Sequence, residues 1–207
     1  MKVYFVRHAE SHSNVSGLHD RPDVGLTETG MIQARTVARR FKKISIDVIV
    51  SSHYLRAEQT ALVINKYAKK EIVFTELLKE AVLPSEIIGK RRDAEEVLAI
   101  RDVVRMHRND PSWHYSDEEN FFDVRNRAVR ALEHLKRLEC ESMLVVTHGT
   151  FLRMLIGVMM LGEQLLPDMH LSISHFLTTN NTGITLCEVS ENGLWKLVTW
   201  NDHAHLG

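Results

Sequence analysis

The chain has 207 residues, of which 44% are apolar and 26% are charged, the proportions of an ordinary globular protein. Its formal net charge of -1 argues against a general nucleic-acid binder, so any affinity for anions must come from a local cluster of positive groups. The length favours one domain, and we expect residues 1–207 to form it with an insertion at about 83–119.

Strands alternate with helices over the first part of the chain. The run from Val3 to Val6 is continuously apolar and is typical of a strand buried on both faces. Similar runs at Asp47 to Val50 and at Ile72 to Phe74 predict two further strands. Between them, two helical stripes consist of Met31, Ala34, Val37, Ala38 and Phe41, behind an expected N-cap at Thr27, and of Ala57, Ala61, Ile64 and Ala68.

The stretch from about Leu83 to Glu119 interrupts this alternation. We expect it to pass over one edge of the sheet and to lie above the active site like a cap. The spacing of Val97, Ile100 and Val104 predicts a helix inside it. Ser116 with Glu119 indicates a capping box for the next helix, whose apolar residues are Phe121, Val124, Ala128, Leu132 and Leu135.

The remainder of the chain returns to strands. Met143 to Val146 reads as another buried strand. Gly183 to Val189 and Leu194 to Trp200 predict a hairpin that turns at residues 191–193, Glu-Asn-Gly. Alternating strands and helices imply right-handed crossovers. The predicted fold class is therefore α/β, a three-layer α/β/α sandwich with a mostly parallel sheet and a C-terminal hairpin.

The cysteines and the apolar segments indicate a cytoplasmic protein. Cys140 and Cys187 are far apart and lack metal-ligand spacing, so they predict neither a disulfide framework nor a metal site. The apolar run that ends at Val6 is too short for the core of a signal peptide. No segment has the length of a membrane span, and we expect no membrane partner.

Two arginines and two histidines follow the ends of predicted strands. Arg7 and His8 come after the first strand, His148 and Gly149 after the Met143 strand, and Arg56 opens a helix. Ligands of open α/β sheets bind beyond the carboxyl ends of the strands. A guanidinium fork matches phosphate oxygens, a glycine allows close backbone approach, and an imidazole held at one nitrogen can attack phosphorus through the other. The pattern predicts a site for a phosphoryl group.

The ordered set of motifs resembles the histidine phosphatase superfamily, also called the phosphoglycerate mutase-like family, over most of the chain. The resemblance implies that His8 becomes phosphorylated, while Arg7, Arg56 and His148 hold the phosphoryl oxygens. Besides these residues, the similar stretches are Asn14, Leu26 to Gly30 with Gln33-Ala34, Ser51-Ser52 through Ala57, Gln59 to Ala61, Thr147 to Gly149, Asn180 to Ile184, and Asn201 to Leu206.

The resemblance also implies that Asn14 contacts the phosphate and that Glu80 acts as proton donor and later as base for water. The stretch around the acid departs from the signature of many relatives, so Glu86 stays open as the donor and Glu76 is a weaker alternative. A leaving alkoxide needs a proton from some such carboxylic acid.

The expected activity is hydrolysis of a small phosphorylated metabolite through phosphohistidine, with no metal, no cofactor and no nucleic-acid partner. Two alternatives stay open, a phosphoglycerate mutase and a non-catalytic phosphate-binding or protein-interaction module. The stretch from Lys79 to Glu119 does not resemble the longer insertion of bisphosphoglycerate-dependent mutases, which favours hydrolysis. The identity of the substrate and the oligomeric state, a homodimer among the options, stay open.

Overall fold

The strands form one sheet in which four neighbours run parallel. In the computed structural model, which describes residues 1–19 and 21–207, the sheet has the order β3-β2-β4-β1-β5-β6. β5 and β6 are antiparallel and form the predicted hairpin. The strands are β1 Lys2–Arg7, β2 Val48–Ser52, β3 Glu71–Thr75, β4 Ser142–Thr147, β5 Ile184–Val189 and β6 Trp195–Asp202.

Helices cover both faces of this sheet, so the predicted three-layer architecture is confirmed. α2 and α3 pack on one face, and α5 and α6 pack on the other. Within the described residues none of the helices is long and apolar enough to cross a membrane. The α-helices are α1 His12–Ser16, α2 Glu28–Phe41, α3 Leu55–Ala68, α4 Glu95–Met106, α5 Phe121–Lys136, α6 Gly149–Leu161 and α7 Pro167–Phe176.

The central strands contribute to two cores at once. Phe5 and Val145 belong to the core under α5 and α6, whereas Val6 and Val146 belong to the core under α2 and α3. Successive side chains of a strand point to opposite faces. A strand that is covered on both faces is therefore apolar at every position, which explains the continuous apolar runs in the sequence.

The segment between β3 and α5 contacts the loop that follows α1. The amide nitrogen of His19 donates to the carbonyl oxygen of Lys90 over 2.9 Å, and that of Arg92 donates to Gly17 over 3.0 Å. A short 3-10 helix at Ser85–Ile87 and the predicted helix, α4, lie within this segment. These hydrogen bonds tie the segment to the chain just beyond the carboxyl end of β1.

The predicted capping box of α5 is wrong by one turn. The N-cap is Asn120, whose side-chain oxygen accepts from the amide of Asp123, while the Asp123 carboxylate accepts from the amide of Asn120. Asn caps a helix as well as Ser does, and Asn120 directly precedes the first apolar residue. Glu119 does not act as a capping partner because its carboxylate pairs with Arg127.

Candidate active site

The two histidines meet because their strands are neighbours. β1 and β4 are paired in parallel, so His8 and His148 leave the sheet at the same edge. Their ring centroids lie 5.1 Å apart. Arg56 reaches them from the first turn of α3, which follows β2 on the other side of β4. Both imidazoles and this guanidinium are buried.

The hydrogen bonds of His8 define its tautomer. Nδ1 lies 2.7 Å from the carbonyl oxygen of Ala9, which can only accept, so Nδ1 carries the proton. Nε2 lies 3.3 Å from Nε of Arg56, which can only donate, so Nε2 holds the lone pair. Burial, with the nearby Arg56 and Arg7 cations, holds the pKa of His8 well below its usual range, although the bond to Ala9 opposes this. A neutral imidazole with an unprotonated Nε2 is the nucleophilic form.

His148 is the N-cap residue of α6 and is completely buried. Its Nε2 lies 2.9 Å from the hydroxyl of Ser52, at the end of β2. Its Nδ1 is buried and has no hydrogen-bond partner in the part of the chain that the structure describes. Burial is the largest cause that lowers the pKa of His148, followed by His8, Arg56 and Arg7. The ring therefore has one nitrogen without a hydrogen bond among the described residues.

Arg56 contacts both His8 and the main chain at Arg21. Besides its contact with His8, its Nη1 donates to the carbonyl oxygen of Arg21 over 3.0 Å. The guanidinium carbon lies 5.1 Å from the ring centroid of Tyr54, whose ring is 5.2 Å from that of His148. Burial raises the pKa of the Tyr54 hydroxyl, so this hydroxyl stays protonated at neutral pH.

Gly149 leaves the space that Arg7 occupies. Nη1 of Arg7 donates to the carbonyl oxygen of Thr179 over 2.7 Å. A Cβ on Gly149 would lie 3.0 Å from Oγ1 of Thr179 and 3.3 Å from Nε of Arg7. The glycine thus allows the first turn of α6 to pack directly on the arginine, and helix N-termini of this kind favour anions.

Asn14 lies beside the nucleophile in the first turns after β1. Its Oδ1 accepts from the amide of Ser11 over 3.1 Å and from the side-chain nitrogen of Asn181 over 3.2 Å. Asn181 also donates to the carbonyl oxygen of His8 over 2.9 Å. Since its oxygen is engaged, Asn14 can offer only its amide N–H groups to a ligand, and these suit an anion.

Glu80 sits on the amino-terminal turn of α6, next to His148. Its Oε2 accepts from the amide of Thr150 over 3.0 Å, and its Oε1 accepts from the amide of Phe151 over 2.9 Å. The alternatives are placed differently. Glu86 is exposed and accepts a hydrogen bond from the hydroxyl of Ser116, and Glu76 is exposed as well. The geometry favours Glu80 among the three carboxylates.

Several residues of the site were not singled out from the sequence. Ser52 and Asn181 lie in stretches that resemble the family, but nothing local predicts their contacts with the histidines. Tyr54 lies in such a stretch too, whereas Thr179 gave no signal. Arg127 interrupts the apolar stripe of α5 between Val124 and Ala128, which is a signal that could have found it; in the structure it is only 3% exposed.

Three comparisons identify similar proteins. Residues 3–203 match the model of the family described as the histidine phosphatase superfamily (branch 1). A Hydrogenobacter thermophilus protein provisionally named phosphoserine phosphatase 2 is 32% identical over 187 residues, or 89% of this chain and 87% of that protein. A Photorhabdus laumondii protein named "Probable phosphoglycerate mutase GpmB" is 32% identical over 77% of this chain and 75% of its own. The structure of Bacillus stearothermophilus YhfR superposes with a TM-score of 0.81 and 26% identity, covering 100% of this chain and 99% of that one.

Proposed function

This chain belongs to the histidine phosphatase superfamily, and we propose that it hydrolyses small phosphomonoesters through a phosphohistidine on His8, without a metal or cofactor. The observation that carries the proposal is the state of His8. Its Nδ1–H is anchored on Ala9 and its unprotonated Nε2 accepts a hydrogen bond from Arg56, which supports a nucleophilic role for His8 at the carboxyl end of β1.

In the first step, Nε2 of His8 attacks phosphorus while the bond from phosphorus to the leaving oxygen breaks. Glu80 in its acid form gives that oxygen a proton, and the product alcohol departs. In the second step, a water molecule attacks the phosphohistidine, Glu80 takes one of its protons, and inorganic phosphate leaves. His8 and the acid form of Glu80 are thereby restored.

The positive groups would stabilise the charge on the transferred phosphoryl group. Arg7 and Arg56 remain charged at every relevant pH and present donors to its oxygens. Burial depresses the pKa of His148 most and the neighbouring cations depress it further; a bound dianion would counter the cations, so that Nδ1 of His148 could hold a proton for a phosphoryl oxygen. The amide of Asn14 would add a neutral donor. Stabilisation of this kind is the main task of a protein in phosphoryl transfer.

The substrate class that we propose is a small phosphorylated metabolite. The two curated relatives are named for phosphoserine and phosphoglycerate, and both of these are phosphomonoesters of small carboxylic acids. A phosphoglycerate mutase is the second candidate, because one of these relatives carries that name. A mutase retains the phosphoenzyme until a substrate binds again, whereas a phosphatase admits water.

Hydrolysis of p-nitrophenyl phosphate tests the activity. We expect turnover by the wild type in the presence of EDTA, and none by His8→Ala. His12→Ala is the matched control, because His12 is exposed at the start of α1. Acid-labile, base-stable label on His8 from radioactive substrate identifies the phosphohistidine. Turnover that survives in His8→Ala, or that EDTA abolishes, contradicts the mechanism, and a wild type without turnover favours a binding module.

The mutase alternative needs a separate assay. With 3-phosphoglycerate as the only phosphorylated compound, a phosphatase releases inorganic phosphate and glycerate. Formation of 2-phosphoglycerate, with phosphate release at least tenfold slower, would reject hydrolysis as the main activity.

We further propose a cytoplasmic location, since Cys140 and Cys187 are both free thiols. We also propose that residues 1–207 form one domain, in which residues 83–119 act as a cap over the site. A homodimer stays a prediction that light scattering in solution can test.

A further inference from the structure

A buried ion pair lies behind the proposed acid. Arg127 of α5 and Glu119, which precedes that helix, form two parallel hydrogen bonds: Nε to Oε1 over 2.7 Å and Nη2 to Oε2 over 2.8 Å. The two side chains are only 4% and 17% exposed. Burying both charges is unfavourable unless the geometry is good and further hydrogen bonds satisfy the remaining polar atoms. The hydrogen-bond partners of the remaining polar atoms of Arg127 and Glu119 therefore indicate which part of the protein the ion pair stabilises.

The remaining hydrogen bonds go to the main chain on both sides of Glu80. Arg127 donates to the carbonyl oxygens of Leu77, Lys79 and Glu80, over 3.1, 2.8 and 3.4 Å. The Glu119 carboxylate accepts from the amide of Val82 over 3.0 Å. The ion pair thus closes a clamp around residues 77–82, the loop that carries the acid.

The same guanidinium also contacts the helix turn that holds the Glu80 carboxylate. The Cζ atom of Arg127 lies 4.1 Å from the ring centroid of Phe151. The amide of Phe151 donates to Oε1 of Glu80 over 2.9 Å. The cation therefore holds the backbone of Glu80 directly and packs on the residue whose amide holds the Glu80 carboxylate. Among the described residues, it makes no hydrogen bond to His8, His148, Arg7 or Arg56.

We propose that Arg127 and Glu119 are positioning residues that hold Glu80 at the departing oxygen of the substrate. The inference rests on the proposed function. Neither residue contacts the phosphoryl group in this arrangement, so loss of the clamp should weaken proton donation and leave nucleophilic attack intact. An alkoxide leaving group needs the proton, but p-nitrophenolate is stable enough to leave without it. The leaving group therefore separates a positioning role from a general loss of folded protein.

The experiment compares kcat/KM for a primary alkyl phosphate and for p-nitrophenyl phosphate in Arg127→Met. This quantity reports the steps up to the phosphoenzyme, before water attack. We expect a fall of about 10- to 100-fold with the alkyl phosphate, part of the roughly 10²- to 10⁴-fold that a general acid supplies. With p-nitrophenyl phosphate the value should stay within about threefold of the wild type, because proton transfer contributes little there.

Arg125→Met is the matched control. Arg125 lies on the same helix and also donates to carbonyl oxygens, those of Glu163 and Leu165, but it holds a loop remote from Glu80. Its substitution should leave the ratio of the two kcat/KM values unchanged. If Arg127→Met does not fold, the double variant Arg127→Met/Glu119→Leu removes both charges together and leaves no unpaired buried ion.

The outcomes test the positioning role, the assignment of Glu80 as the acid and the His8 mechanism separately. An equal fall with both substrates in a folded clamp variant, or no fall with the alkyl phosphate, overturns the positioning role. Glu80→Gln should show the same selective loss in a larger degree. If it does not, the assignment of the acid and the clamp fail together, while the His8 mechanism stands. The proposed function itself is removed by turnover in His8→Ala, by loss of turnover in EDTA, or by a wild type without turnover.

Discussion

Two buried neutral histidines should make the folded state sensitive to acid. The pKa values of His8 and His148 are both lowered from 6.5, chiefly by burial and then by neighbouring positive groups. In the unfolded chain each imidazole regains its ordinary pKa. Below pH 6.5 the unfolded state therefore binds protons that the folded state does not bind. The free energy of unfolding consequently falls as the pH decreases through this region, and it recovers as the pH rises again.

The size of this effect follows from the width of the pH interval. At pH 5.0 the pH lies roughly 1.5 units below the unfolded pKa, and each unit corresponds to about 1.36 kcal/mol. A histidine that stays neutral in the folded state at pH 5.0 therefore loses about 2 kcal/mol of stability relative to neutral pH. For the pair, this sum of about 4 kcal/mol is a large part of the roughly 5–15 kcal/mol that stabilises an ordinary domain.

Urea unfolding at pH 7.5 and pH 5.0 measures the contribution of His148. Between pH 7.5 and pH 5.0, we expect the free energy of unfolding to fall by about 2 kcal/mol more in the wild type than in His148→Gln. This difference does not depend on how much the substitution changes stability at pH 7.5. The exposed His12→Gln controls for the removal of a histidine as such. Equal losses in wild type and His148→Gln would refute the reasoning, because His148 would then take up its proton in the folded state as readily as in the unfolded chain.

Two substitutions, each with a control, test how the site is packed and how the amino-terminal end of α5 is held. In Gly30→Ala, the new Cβ would overlap the carbonyl oxygen of Glu10, two residues after His8. The resulting displacement should lower kcat/KM for p-nitrophenyl phosphate by about 100-fold. Gly25→Ala, where the atoms nearest the new Cβ would belong not to the backbone but to the side chains of Gln59 at 3.2 Å and Leu55 at 3.6 Å, should change it less than about threefold, and unaltered kinetics in Gly30→Ala would contradict the packing. Asn120→Ala should reduce the free energy of unfolding by about 1 kcal/mol, through loss of the α5 cap. The exposed Ser116→Ala should change it by less than about 0.5 kcal/mol in the same denaturation experiment, and the reverse order would restore the capping box predicted from the sequence.

The central strands, α2, α3 and the hairpin were predictable because their signals are local. Continuous apolar runs indicate strands covered on both faces, and Thr27 caps α2 as predicted, with Oγ1 accepting from the amide of Gly30. Where two local signals compete, the sequence did not decide. Ser116 and Asn120 both offer a helix cap, and only Asn120 is used. α7 was not predicted from the sequence, although Met169, Ile173 and Phe176 have helical spacing; in the structure Pro167 is its only buried residue.

By itself, the sequence determined that arginine and histidine follow the ends of buried strands, since each such position depends on a few neighbouring residues. Only the tertiary structure decided which of these side chains meet. Ser52 and His148 are 96 residues apart, and their hydrogen bond exists because β4 is inserted between β2 and β1. The hydrogen bond from Arg56 to Nε2 of His8 also joins residues that are distant in the chain. The same holds for the hydrogen bonds from Arg127 to the loop that contains Glu80. Strand order and side-chain packing set these contacts, and neither is encoded in any short stretch of residues.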